Sequence, residues 1–286
     1  MDESSLLEKE SRLDQRLRDL GTALIAYSGG VDSAYLAWRA HRVLGSSMLA
    51  VIADSPSLAR RHLRDALAFA EKHRLPLEVI STQELDNPDY AKNDGLRCFH
   101  CKSELFDRME QTRQQRGFRH LAYGMNLDDR KDFRPGQKAA QDHRVVAPLA
   151  EAGLDKNDIR ALAHQAGLEV WDKPASPCLS SRLAYGLPVD REALRLVEEG
   201  EDFLWTLGLR QYRVRHHGDV ARIEIAPDEM SAILSPATMK TIAERFKSIG
   251  FPYVAIDCAG YQPGSMNIHL PEEILRQGSS ALGPIT

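Results

Sequence analysis

The stretch Ala23-Leu-Ile-Ala-Tyr-Ser-Gly-Gly-Val-Asp-Ser33 decides how the chain is read. Ala23–Tyr27 is a short apolar run of strand length, and Val31–Leu44 carries helical spacing directly behind it. Between them, Gly29 and Gly30 let the backbone turn tightly and leave N–H groups bare. Ser28 and Ser33 add hydroxyl donors, and a helix N-terminus behind the loop favours an anion, so the loop suits a phosphate group. Asp32 is placed to orient the loop or to hold Mg²⁺ through water. An ordinary strand-to-helix turn with a serine cap does not call for all six residues in this order, and the loop reads as nucleotide-binding. The Walker pattern GxxxxGK[ST] is absent, which speaks against a kinase or motor ATPase.

Outward from this loop, strands and helices alternate. Met48–Ala53 is strand-like, Leu58–Lys72 helical, Leu77–Ile80 strand-like, the segment around Phe106–Arg116 helical and His120–Tyr123 strand-like. That order predicts a parallel sheet covered on both faces, with ligands at the edge where the strands end. The polar stretch Asn126–Gln141 reads as a long functional loop. Asp155–Ala166 is helical, and the proline-interrupted Trp171–Pro188 is a poor candidate for regular structure. A boundary near Leu187 divides a first domain, 1–186, from a second, 187–286. In the second, a helix (Asp190–Leu207), two strands about His217–Asp219, a helical region (Asp228–Ile249) and a strand (Tyr253–Asp257) predict a small α+β domain.

At 286 residues the chain is comfortable for two domains. Its 37 basic and 41 acidic residues leave a net charge of −4, which argues against general binding to nucleic acid or an anionic membrane. The opening MDESSLLEKESRLDQRL reads as a charged amphipathic helix without the apolar core and cleavage site of a signal peptide. No window has the ~20 apolar residues of a membrane span. A reducing, cytoplasmic setting is expected, where four cysteines are a question of chemistry and not a disulfide framework.

Cys98-Phe99-His100-Cys101 is a CxxC, able to bring two thiolates to one metal or to form a redox disulfide; two unrelated, partly buried cysteines are the bland alternative. Zinc would need a further pair, and only Cys178 and the distant Cys258 remain. Three thiolates can hold a [4Fe–4S] cluster with one iron open. Cys178 lies in Lys173-Pro-Ala-Ser-Pro-Cys-Leu-Ser-Ser-Arg182, a segment stiffened by proline, where Lys173 and Arg182 would stabilise a thiolate if they fold towards it. Arg213 and Arg215 have strand spacing, which points both guanidinium groups to one face. Such a pair suits bidentate capture of phosphate or carboxylate, although exposed strand arginines are common. Glu224, on the next strand, would orient an arginine or hold a metal, and Glu201 lies near the domain junction. His216 and His217 read as surface residues at a turn, and Cys258 as a buried apolar residue.

SGGVDS resembles the PP-loop of the N-type ATP pyrophosphatases, which cleave ATP between the α and β phosphates. The resemblance implies that Ser28, Gly29, Gly30, Asp32 and Ser33 contact pyrophosphate and its Mg²⁺. It places Ala53, Asp54 and Ser55 where members of that superfamily hold adenine and ribose. KPASPCLSSR followed by Tyr185-Gly186 is similar to the signature of the LarE family, sulfur transferases that make the nickel-pincer nucleotide cofactor. Similarities at Ala53–Leu58, Arg97–Lys102, Asn126–Gly136, Ala221–Glu224 and Gly264–Asn267 extend it over about residues 30 to 270.

The fold this implies is α/β: an adenine nucleotide α hydrolase-like parallel sheet of five strands or a similar number, with a smaller C-terminal α+β domain. Lys102, Gly124, Asn126, Asp129, Arg134, Arg182, Glu201, Arg213, Arg215 and Glu224 join nucleotide or substrate binding by the same resemblance. The implied reaction starts from a pyridinium biscarboxylate mononucleotide. ATP adenylates a carboxylate and releases pyrophosphate, then a sulfur nucleophile displaces AMP to give a thiocarboxylate. In some members the cysteine matching Cys178 gives up its own sulfur; in others, cysteines matching Cys98, Cys101 and Cys178 carry a [4Fe–4S] cluster. ATP, Mg²⁺ and the cluster are the cofactors implied. A homo-oligomer serving nickel-pincer pathway enzymes is expected, and neither nucleic acid nor membrane. The rival readings are another PP-loop enzyme, such as a tRNA thiolase, and a non-catalytic iron–sulfur or zinc carrier.

Overall fold

The computed structural model describes residues 3–131, 135–262 and 265–266. The chain runs α1 (Glu3–Leu20), β1 (Ala23–Ala26), α2 (Val31–Leu44), β2 (Met48–Asp54), α3 (Arg60–Lys72), β3 (Leu77–Ser81), α4 (Pro88–Ala91), α5 (Arg97–Arg116), β4 (His120–Tyr123), α6 (Pro135–Asp142), α7 (Pro148–Glu151) and α8 (Lys156–Gln165). It continues through α9 (Arg191–Thr206), β5 (Tyr212–His217), β6 (Val220–Ile225), α10 (Pro236–Ile249) and β7 (Tyr253–Ile256).

β1 to β4 form one parallel sheet in the order β3-β2-β1-β4, so the PP-loop leaves a central strand. Both faces of the central strands are covered, and that is why β1 and β2 read as unbroken apolar runs. Ala23, Ile25, Ala50, Ile52 and Ala122 pack on one side with α1, α2 and α8. Leu24, Leu49, Val51 and Leu121 pack on the other with Phe106 and Met109 of α5 and Ala139 and Ala140 of α6. Helix α1 contributes Leu6, Leu13 and Leu17, the apolar stripe of an otherwise charged helix. The sheet has four strands among the described residues, within the number expected, and beside β4 an isolated parallel bridge joins Ala122 to Val146. Neighbouring Pro148 opens α7 and leaves no length for a strand.

The second sheet is mixed: β5 pairs antiparallel with β6, and β6 pairs parallel with β7. Its core draws on Leu204 of α9, Val214, Ile223 and Ile225 of the strands, and Ile242 and Phe246 of α10. A further apolar cluster joins Tyr90, Leu179, Leu183, Val189, Leu194 and Val197, which seats the residues just after Cys178 between α4 and α9. Two expectations change. The Asn126–Gln141 stretch is not a bare loop, since it holds a short helical turn at Asp128–Lys131 and then α6. His216 and His217 are half-buried strand residues, with the His216 ring 5.1 Å from that of Phe251.

Candidate active site

The PP-loop is held open by its own side chains. Ser33 Oγ accepts from the Ser28 N–H (3.1 Å), donates to the Gly30 carbonyl (3.1 Å) and lies 3.0 Å from Ser28 Oγ. Gly29 turns with φ +73°, and a Cβ there would lie 2.6 Å from that of Ala66. A Cβ on Gly124, just past β4, would lie 2.8 Å from the Ser33 nitrogen, so both glycines let the chain pass closely.

In front of the loop lies a cavity of about 370 Å³. Its walls include Ser28, Gly30, Asp32 and Ser33, then Ala53 and Ser55 about the end of β2, and Lys102, Gly124 and Asp129. Asp54 points elsewhere and pairs with Arg60. Asp32 is partly buried, and burial raises its pKa while Lys156 at the start of α8 pulls it down. Lys156 Nζ lies 2.5 Å from Asp32 Oδ2, whereas Asp32 Oδ1 has no hydrogen-bond partner. An orphaned carboxylate oxygen beside a phosphate-binding loop fits Mg²⁺ with its water shell. Asn126 and Asp129 exchange bonds between side chain and backbone, at 3.1 and 3.2 Å, and so fold the turn that carries Asp129 to the cavity. Arg134, with Gly264 and Asn267, lies outside the described residues.

Cys101 and Cys178 line this same cavity. Cys98 presents exposed surface although the protein crowded round its sulfur raises its pKa; the exposed surface decides its access to reagents. Burial raises the Cys101 thiol well above its ordinary value, and Cys178, Glu84 and Cys98 push the same way. Cys178 likewise raises Cys98, so all three thiols lie within electrostatic reach of one another. Among the described residues no three His, Cys, Asp or Glu side chains are arranged to hold a single metal ion. Cys101 and Cys178 line one cavity and Cys98 lies three residues before Cys101 on α5, a set of three thiols whose chemistry fits a [4Fe–4S] cluster with one iron open.

The Cys178 segment is held by backbone bonds to buried arginines. Arg182 donates to the carbonyls of Pro177 (2.7 Å) and Cys178 (3.2 Å) and is fixed by Glu201 (2.8 Å). Burial alone would raise the Glu201 carboxyl, but Arg182 holds it below the usual carboxylate range. Arg213 donates to the Ala175 carbonyl and Arg215 to that of Ser181 (3.3 Å), which puts both on one face of β5 as the period-two spacing requires. Glu224 binds Arg215 (2.7 Å) and Arg222 (3.0 Å) and accepts from Ser265 (2.8 Å), so it orients arginines. Lys173 reaches the PP-loop, 3.4 Å from the Gly29 carbonyl. Beyond the segment lies a second, cation-rich cavity of about 470 Å³ with Arg61, His62, Lys173, Arg182 and Arg213 in its walls.

Three site residues escaped the sequence. Lys156 follows the Asp155 helix cap, a signal that marks a helix start but not a partner for Asp32. Tyr90 is buried with its hydroxyl 2.5 Å from that of Ser57, and burial first, then Cys178 and Cys101, raise its pKa. Glu84 accepts from Ser55. Cys258, expected to be buried, is exposed, because it follows the end of β7 in a turn.

No family model matches the chain. It is 40% identical over 262 residues to an uncharacterised protein of Synechocystis, covering 92% of this chain and 98% of that one. It is 31% identical over 265 residues to the pyridinium-3,5-bisthiocarboxylic acid mononucleotide synthase of Lactiplantibacillus plantarum, covering 92% of this chain and 95% of that one. A tRNA-specific 2-thiouridylase, MnmA of Rickettsia felis, is 30% identical over 193 residues, 54% of this chain and 52% of its own. With the loop, the parallel sheet and the cavity, that partial likeness shows a member of the PP-loop superfamily. The near full-length match narrows it further: the chain belongs to the LarE family, that of the bisthiocarboxylic acid mononucleotide synthase.

Proposed function

We propose that the chain is an ATP-dependent sulfur transferase that adenylates the carboxylates of pyridinium-3,5-biscarboxylic acid mononucleotide and converts them to thiocarboxylates. The observation that carries this reading is that the PP-loop and Cys178 line one cavity. A free carboxylate resists attack by sulfur, whereas its adenylate has AMP as a good leaving group. Ser28, Ser33 and the bare N–H groups of the loop would hold the departing pyrophosphate, with Mg²⁺ on Asp32. Arg213 and Arg215 would serve the substrate's anionic groups, and Arg182 keeps Cys178 aimed at the reacting carbon.

Cys98, Cys101 and Cys178 would hold the [4Fe–4S] cluster, which supplies an open iron for inorganic sulfide. In this reading residues 1–186 form the ATP pyrophosphatase domain and 187–286 the substrate-binding or oligomerisation domain of a cytoplasmic homo-oligomer. No helix among the described residues is long and apolar enough to cross a membrane. The test is substrate-dependent pyrophosphate release. Asp32→Ala and Ser28→Ala should abolish it in folded protein, and wild-type yield from the double variant would sink the nucleotide assignment.

A further inference from the structure

Arg97 opens α5 beside Cys98 and is only 5% exposed. Buried arginines are normally paired with a carboxylate. Among the described residues none pairs with Arg97: its Nη1 donates to the Asn93 side-chain carbonyl, and its Nε is buried with no hydrogen-bond partner. The position is fixed. Asn93 is fully buried at φ +56° and donates to the carbonyls of Ala184 (2.9 Å) and Leu187 (2.8 Å). The guanidinium carbon lies 5.6 Å from the centre of the Tyr185 ring. Burial would lower the Arg97 pKa, yet Cys98 and then Cys178 hold it above its ordinary value, so the cation faces thiols. Burial is the main influence on the Cys98 thiol too; Arg97 is the first charge to oppose it, and Lys102 acts the same way. The first turn of α5 holds no acidic residue, so the positive end of the helix adds to the same field. Cys98 presents exposed surface at this spot. An anchored, buried cation with a spare N–H beside an accessible thiol calls for a small anion.

We infer that Arg97 forms an anion site beside Cys98 that draws a small sulfur monoanion, hydrosulfide, to the three cysteines. Hydrosulfide has one heavy atom and one charge and can accept from Nε, whereas an anion the size of phosphate would not reach a guanidinium this enclosed. The step is binding alone, with no bond made or broken. The identity of the anion rests on the sulfur-transfer reading above; the site itself does not.

The test alkylates reduced, metal-free chain with iodoacetate, an anion, and with iodoacetamide, its neutral counterpart of nearly equal size, and maps each cysteine by mass. Both reagents meet the same thiolate, so the ratio of their rates cancels its ionisation and general access and reports the local field. Arg97→Gln should lower the iodoacetate-to-iodoacetamide ratio at Cys98 about fourfold, the enrichment that one cation a few ångströms away gives an anion in a water-filled opening. Arg97→Lys should keep the ratio, and neither change should alter it at the exposed Cys258. Wild-type protein gives a reading that needs no variant: its Cys98 ratio should fall more than its Cys258 ratio as salt rises from roughly 20 to 500 mM. An unchanged Cys98 ratio in Arg97→Gln, or a wild-type ratio no more salt-sensitive there than at Cys258, would overturn the anion site. Neither result touches the sulfur-transfer reading, because no ATP or substrate is used. For the ligand itself, anaerobic sulfur transfer fed with sodium sulfide should need about fourfold more sulfide for half-maximal rate in Arg97→Gln. An unchanged requirement, or wild-type protein that transfers no added sulfide, would overturn hydrosulfide as the ligand, and pyrophosphate release in that sample tells whether the transfer reading has failed with it.

Discussion

The ammonium of Lys156 stands 2.5 Å from the carboxylate of Asp32, joining the start of α8 to the PP-loop across 124 residues of chain. The pair is unequal: Asp32 is largely enclosed, while the Lys156 side chain keeps 35% of its surface exposed. Removing the cation alone leaves a buried carboxylate unpaired, which is worse than removing both charges. Lys156→Met should cost about 1–2 kcal/mol, discounted for the exposed lysine. The double variant with Asp32→Asn should recover part of it, as chemical denaturation would measure. A double variant as unstable as the single would mean that the lysine acts through packing and not through Asp32.

Gly124 should not tolerate a methyl group. A Cβ there would meet Ser33 N at 2.8 Å and Ser33 Cα at 2.9 Å, which are backbone atoms of the first turn of α2 and cannot swing aside. Gly124→Ala should displace the PP-loop and weaken ATP binding at least about tenfold, since aligned donors contribute only when they are pre-placed. Calorimetry with Mg²⁺ and ATP reads this directly, and unchanged affinity would show that the loop can shift without loss.

What the sequence revealed was local in origin. The Ala23–Leu44 unit was legible because strand, glycine turn and helix follow one another within one short stretch. The helix ends at Asp155 and Asp190 were legible because a capping side chain lies three residues from its partner. The first turns of α5 were not: Arg97, Phe106, Met109 and Thr112 are the buried positions, a polar-headed pattern that hides the helix carrying Cys98 and Cys101. The period of β5 put Arg213 and Arg215 on one face, but no period reveals that they grip the carbonyls of the Cys178 segment. Lys156, Tyr90 and Glu84 belong to the same class, since each acts on a residue that only folding brings near.

Arg182 and Glu201 are both buried, so their ion pair lacks the solvent screening that makes surface pairs weak. Glu201→Ala would leave the Arg182 charge enclosed and unmatched, and should destabilise the fold by about 3–5 kcal/mol. It should also free the Cys178 segment, because Arg182 holds the Pro177 and Cys178 carbonyls from that anchor. Faster proteolysis within Lys173–Arg182 would report that release. A stable variant with a protected segment would assign the anchoring to the apolar cluster around Leu179 and Leu183 instead.

His62 supplies a pH dependence in stability. Burial first, and then Lys173 and Arg61, lower its pKa to about 4. Below the ordinary value of 6.5 the unfolded chain takes up a proton that the folded chain refuses, so stability is present above 6.5 and is lost as pH falls towards 4. The total is at most about 3 kcal/mol for a shift of this size. His62→Gln should flatten the slope of unfolding free energy between those pH values. A slope that persists in the variant would place the titration elsewhere.

The sulfur source separates two chemistries at one residue. Cys178 faces the PP-loop cavity, and its neighbours Cys98 and Cys101 lie within electrostatic reach of it and of each other. The presence of all three cysteines favours the cluster route, since ligation needs three thiolates and sacrifice of Cys178 needs only one. Anaerobically prepared protein should then contain about four irons per chain and absorb broadly in the visible. Each single Cys→Ala change at 98, 101 or 178 should lose the cluster, while Cys258→Ala should keep it, because Cys258 is exposed after β7 and stands apart from that cavity. Given sulfide, the enzyme should turn over repeatedly with its mass unchanged. Under sacrifice, Cys98→Ala and Cys101→Ala stay active, one sulfur leaves per chain, and Cβ–S cleavage converts Cys178 to dehydroalanine. The spent chain is then lighter by about one H₂S, roughly 34 Da, at that residue. Such a loss from iron-replete protein would overturn the cluster route and leave the sulfur transfer itself intact, because both routes deliver sulfur to the same adenylate from the same side of the cavity.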